Sequence, residues 1–238
     1  MKQVFSRKYH NKFIKYFKIK NAPSKVEENY YKKTIKYIKF IKWIPGLKMV
    51  GIGNSVSMNS AKNSSDIDLF IVTSNNSMWL VRILITLIFQ IMGIRKTNKK
   101  HSGRFCLSFF STIDGLDFNN FKIENDIYLY FWIIYFKPIL DYNNTYQLFL
   151  NKNASWVDFS KYSDILEDNK KYIKYTGKSK LKNNKIIYIL NNLFKKIFLP
   201  KTLKHYKSLG KPIGIVINNN MLKFHNNDIR EKIKKDLV

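Results

Sequence analysis

The chain has 238 residues and 45% apolar content, enough to bury a sizeable core, which excludes an intrinsically disordered chain. Its formal charge is +27, from 43 Lys and Arg against 16 Asp and Glu, yet only Arg7, Arg82, Arg95, Arg104 and Arg230 are arginines. That balance admits nucleic acid or another polyanion as a partner without establishing one, since Arg leads in bidentate phosphate and base recognition and lysine runs usually form solvated faces.

Cys106 is the only cysteine, so no internal disulfide forms, and a reducing, cytoplasmic setting is expected. The opening MKQVFSRKYHNKFIKYFKIK never reaches an apolar run of useful length, so no signal peptide is expected. Residues 1–29 are basic and weakly patterned. In YYKKTIKYIKFIKWI (30–44), apolar residues at 31, 35, 38, 41 and 44 give a helical period. This predicts a packing helix with its lysines in water, in preference to a helix lying on a membrane or a partner. Pro45-Gly46 ends it, and a strand follows at Leu47–Ile52.

Leu69–Thr73 continues as a β-branched strand of the buried type. The apolar run Met78–Ile94 is about 25 Å long as a helix, short of a bilayer core of about 30 Å. Its polar residues Arg82, Thr86 and Gln90 fall on one stripe, so a core helix over 78–92 with one wet edge is expected, not a transmembrane span. A basic loop (95–104) leads to a strand at Phe105–Ser111, ended by Asp114-Gly115, and a helix at Glu124–Phe136 stops at Pro138. Beyond residue 150 the pattern is mostly helical. Its strongest helix, Ile186–Leu199, is expected to end at Pro200, and 210–224 forms a hairpin turning at Asn218–Asn220. A last helix spans 228–237 with Asp228 as its N-cap.

The expected class is α+β with an α/β-like order of elements. Three regions are expected: a basic N-terminal helical segment (1–44), a central sheet domain (45–150), and a mostly helical C-terminal region with the small hairpin (151–238).

The chemistry concentrates in GIGNSVSMNSAKNSSDIDLFIVT (51–73). Residues two apart in a strand share a face, so Asp66 and Asp68 project side by side at the head of a buried strand. Two like charges that close are costly unless a cation sits between them, and a hard divalent ion such as Mg²⁺ (or Mn²⁺) resolves the cost. Gly53, Asn54, Ser55 and Ser57 tolerate the turns needed to aim backbone N–H groups and a hydroxyl at a phosphate. A metal-binding carboxylate pair beside such a loop is what phosphoryl or nucleotidyl transfer requires.

Asn54-Ser55, ten intervening residues, then Asp66-Ile67-Asp68-Leu69 opening a strand resembles the DNA polymerase beta-like nucleotidyltransferase superfamily. CLSFF (106–110) and FHNNDIREKI (224–233) are similar to segments of small bacterial nucleotidyltransferase-domain proteins. The resemblance implies a small mixed nucleotidyltransferase sheet flanked by helices. It implies a divalent metal on Asp66 and Asp68 as catalytic ligands, and an NTP gripped near Gly53, Asn54, Ser55 and Ser65. An acceptor hydroxyl, phosphate or amine would then attack the α-phosphorus. Asn54 and Asn59 stand where the family has glycines. Active members add a third carboxylate from a later strand, but Phe105–Ser111 holds none, and Ser108 falls about where it would be. The alternative is therefore a module of this fold that binds nucleotide or nucleic acid without turnover. His101 and Arg104 are expected in a solvated loop, His225 at a strand end, and Cys106 as a small buried apolar residue.

Overall fold

The structure, a computed structural model, describes residues 5–179, 185–210, 212, 214–225 and 228–238. Two helices precede the sheet, α1 (Arg7–Phe17) and α2 (Lys25–Ile38). β1 (Leu47–Ile52) and a four-residue α3 (Asn54–Ser57) lead to β2 (Ile67–Thr73), α4 (Met78–Ile91) and β3 (Phe105–Thr112). α5 (Ile127–Tyr135), β4 (Lys137–Tyr142), α6 (Thr145–Asn153), α7 (Ser163–Lys170) and β5 (Tyr175–Gly177) follow. The chain ends with α8 (Lys185–Ser208), the hairpin β6 (Ile215–Ile217) and β7 (Met221–Phe224), and α9 (Arg230–Leu237). The seven strands among the described residues form one mixed sheet in the order β5-β4-β1-β2-β3-β7-β6. β2–β3 and β4–β5 are parallel and the other pairs antiparallel. The α+β class stands, with the C-terminal hairpin built into the same sheet.

Strand alternation sorts the core into two layers. Phe70, Val72 and Phe109 face α5, whose Phe131 and Trp132, with Phe136 just beyond its end, are buried against them. Leu69, Ile71 and Phe110 face α2 and α4, meeting Ile38, Val81, Ile85 and Phe89. Burying side chains of this size contributes roughly 1.5–3 kcal/mol each. β1 passes the Phe136 ring at Gly51, where a Cβ would lie 2.1 Å from that ring.

Several boundaries differ from the sequence pattern. α1 forms within the stretch that reads as weakly patterned, because Phe13 is fully buried in the α5 layer. α2 starts at Lys25, five residues early, on a capping box in which Glu27 accepts from the Ser24 backbone N–H at 2.8 Å. It ends at Ile38, where Phe40 and Ile41 switch to bonds three residues back. Pro138 does follow a helix, but it also sits in β4, at a register shift against β1 where a proline's missing N–H is tolerated.

α8 does not stop at Pro200 but runs through it to Ser208. The proline removes one intrahelical donor, and the carbonyl left over belongs to Lys196, an exposed residue. The turn at Asn218 forms as expected, its Oδ1 accepting from the N–H groups of Asn220 and Met221 at 2.9 and 2.7 Å. Residues 211 and 213 of the expected hairpin segment, and 226–227 of the C-terminal motif, lie outside the described residues. α4 packs on the sheet, and no helix among the described residues is long and apolar enough to cross a membrane.

Candidate functional site

β2 begins at Ile67, so Asp66 stands just outside the strand and Asp68 within it. The alternation that turns Phe70 and Val72 toward α5 brings Asp68 to the same side. Asp66, Asp68 and Cys106 each place a ligand atom within 4.8 Å of one another. The Asn54 amide and the Cys106 thiol both donate to Asp68. Burial, and then the charge of Asp66, hold the Asp68 carboxyl above the usual carboxylate range. Lys96 Nζ lies 2.6 Å from Asp66 Oδ2. Burial is the largest single influence on Lys96 and works against its charge, but the bond to Asp66 and the nearby Cys106, Asp66 and Asp68 together outweigh it and raise the ammonium's pKa.

Asn54 and Asn59 both take the left-handed conformation, with φ of 55° and 51°. Asn tolerates it better than most L-residues, so the loop closes without a glycine at either position. Asn54 Oδ1 accepts from Trp132 Nε1 at 2.8 Å and Tyr128 Oη at 3.1 Å, so its amide N is aimed at Asp68. Gly53 donates its N–H to the Asp68 carbonyl at 3.0 Å, and a Cβ there would lie 2.8 Å from the Trp132 ring. From below, Lys137, 4% exposed, donates to the Ser57 carbonyl and to Asn59 Oδ1. Burial pushes Lys137 down to about 8.

Ser55 is half-buried and its carbonyl accepts from the Ser60 N–H at 2.9 Å. Ser65 serves the turn instead, its Oγ accepting from the Lys62 N–H at 2.9 Å. Gly53, Asn54 and Asp68 line a cavity of about 220 Å³ between the sheet and α5, whereas Ser55, Ser65 and Asp66 do not line it.

The far wall of this cavity comes from β3 and the C-terminus. Cys106 is the register partner of Asp68, and its Sγ lies 3.3 Å from Ser108 Oγ. Burial, then Asp68, push the thiol up to about 12, so it is a neutral donor here and not a nucleophile. His225 Nε2 lies 3.4 Å from Ser108 Oγ, and its buried Nδ1 has no partner. Burial, then Lys223, push the imidazole down to about 4.

Asp228 precedes α9 without being its N-cap, a position held by Ile229. Its carboxylate pairs with Arg230, whose Nη2 is 2.7 Å away, and Arg230 Nη1 reaches Asp126 Oδ2 at 3.1 Å. Asp126 caps α5 by accepting from Leu129 N–H, so this bridge fastens the C-terminus over the cavity. His101 is exposed in its loop, while Arg104 Nη1 donates to the Gly93 carbonyl.

Sequence reasoning missed Lys96, Tyr128, Trp132 and the pairing of His225 with Ser108. The four-residue spacing of Tyr128 and Trp132 places both polar tips on one face of α5 and is the one local signal for them. No family model, curated protein or solved structure matches the chain.

Proposed function

We propose that the chain is a metal-dependent nucleotidyltransferase, moving a nucleoside monophosphate from an NTP to an acceptor. The observation that carries this reading is the convergence of Asp66 and Asp68 beside the left-handed turn at Asn54. Two carboxylates fit a hard cation such as Mg²⁺ or Mn²⁺, while the Cys106 thiol does not add to that fit. Bound there, the ion would neutralise charge building on the transferred phosphoryl group. The chain's own contribution is positioning. Trp132 and Tyr128 fix Asn54, Asn54 fixes Asp68, and Lys137 fixes the turn that follows. Lys96 offers a second positive charge at Asp66 for a phosphate oxygen. A cytoplasmic setting accords with the single thiol.

The test is binding of a fluorescent ATP analogue with and without Mg²⁺, together with transfer of label from α-labelled NTPs. Mg²⁺ is expected to tighten nucleotide binding in the wild type and to have no effect in Asp66→Asn/Asp68→Asn. Equal Mg²⁺ dependence in the double variant sinks the proposal.

A second reading rests on the occupancy of two positions. Cys106 stands opposite Asp68 where a third acid would complete the set, and Lys96 already balances Asp66. A nucleotide-binding module without turnover accounts for both. It predicts nucleotide binding with no label transferred to any acceptor.

A further inference from the structure

We propose that the cleft between α4, the 95–104 loop, α8 and the edge strand β6 binds a single nucleic-acid strand, with Arg82 and Arg95 holding its phosphates. The cleft encloses about 700 Å³. Its charged lining is Arg82, Arg95, Lys96 and Lys201, joined by His101 and His205, with no Asp or Glu among the lining residues. Phe198, Tyr206 and Phe224 also line it, each partly exposed.

Arg82 is the informative residue. Its guanidinium lies 4.6 Å from the Phe224 ring and 5.2 Å from that of Trp79. No ion pair among the described residues includes it, and the residues outside that description contain no Asp or Glu. Burial, and then Arg95, push Arg82 down to about 10. A half-buried guanidinium near a second one, with no carboxylate paired to it, is unfavourable until an anion enters. Arg presents a planar fork that suits phosphate, and aromatic walls give bases a surface on which to stack. Phosphates and rings together describe a polynucleotide better than a small anion or an acidic peptide.

The cleft also leads to the carboxylates. Lys96 lines it while bonded to Asp66, and Ser108 lines both this cleft and the cavity beside Asp68. A strand lying here would bring a terminal hydroxyl or phosphate to the carboxylate pair. That acceptor role rests on the nucleotidyltransferase reading, whereas the binding does not.

Fluorescence anisotropy with a short fluorescein-labelled oligouridylate tests the site on the full chain. Arg95→Glu and Lys201→Glu alter exposed side chains, and circular dichroism confirms that the fold is kept. Each is expected to weaken binding about tenfold or more and to reduce the salt slope by about 0.7 for each phosphate no longer neutralised. Lys152→Glu, an equal charge change at an exposed position of α6, is expected to stay within about twofold. Asp66→Asn/Asp68→Asn should bind the oligonucleotide at least as tightly, which separates this inference from failure of the transferase reading. An effect of Lys152→Glu equal to the cleft variants overturns the proposal in favour of diffuse charge. Displacement by inorganic triphosphate or polyglutamate at equal phosphate or carboxylate concentration overturns it in favour of those occupants. Absence of binding, or loss of it in the Asp double variant, overturns it outright.

Discussion

Cys106 holds a neutral thiol against Asp68, at a strand position where a carboxylate would complete a three-acid set. Substituting Cys106→Asp would place a third negative charge within reach of two others. Without metal, like-charge repulsion and burial should lower stability by about 1–3 kcal/mol. With Mg²⁺, the added oxygen donor should raise affinity, and a ligand that binds only the folded state stabilises it in proportion to the logarithm of its concentration over Kd. The expected outcome is a lower Tm than wild type in EDTA and a larger Mg²⁺-dependent rise. Cys106→Ser, which adds no charge, should show neither. Thermal melts over a Mg²⁺ titration decide it, and a Cys106→Asp melt indifferent to Mg²⁺ would remove the metal site from consideration. Ser108, one step along the same strand, is the wrong place for this substitution because its hydroxyl is turned to Cys106 and His225.

Among the elements, α4 carries no capping hydrogen bond from its own N-cap, Ser77. The bond comes from another helix: Asn191 Oδ1 of α8 accepts from the N–H groups of Trp79 at 2.9 Å and Leu80 at 3.4 Å. Asn191 is 5% exposed, so these donors have no water to replace it. Asn191→Ala should therefore destabilise the protein by about 1–2 kcal/mol and free the first turn of α4. Because this bond also anchors α8, oligonucleotide binding in the cleft should weaken alongside stability. Urea unfolding and amide exchange at Trp79 and Leu80 measure the first effect, and unchanged exchange there would contradict the cap. This pairing shows where sequence reading stops. β1, β2, α4 and β3 were legible because each carries its own periodicity, and the carboxylate pair was legible because 53–69 is one continuous segment. Asn191 lies 112 residues from the donor it caps, and His225 lies 117 from Ser108. Pairings of that separation leave no trace in local pattern. β4 was hidden for a different reason: Pro138 signals the end of α5, and nothing local says that a strand starts at the same place.

The molecule as a whole carries 43 basic against 16 acidic residues, so most cations have no acid to pair with. Self-repulsion should make stability rise as salt is increased from about 0.01 M to about 0.3 M, where the Debye length falls below about 10 Å. A Tm that falls over that range would show that ion pairs outweigh the net charge. The response to pH has a separate origin in two buried lysines. Lys137 and Lys223 are 4% and 8% exposed, and burial pushes both from 10.5 down to about 8. Between those values the unfolded chain holds more protons than the folded one, so unfolding free energy rises with pH. Each lysine contributes at most about 1.4 kcal/mol per pH unit within that window. Opposing groups enter later: Cys106 above 9.0, and the buried tyrosines, among them Tyr130 raised to about 12, above 10.0. These keep their protons in the folded state, so the stability they contribute is lost as pH climbs through that range. Stability should accordingly increase from pH 8 to 9 and turn over near 10. Lys137→Met removes one of the two largest contributions, beside smaller ones from Lys33 and Lys48, and should cut the rise by up to about half, even though it also loses the bonds to Ser57 and Asn59. Urea-unfolding free energies at half-unit pH steps provide the measurement. A wild-type profile flat from pH 8 to 9 would mean that both ammonium groups reach solvent.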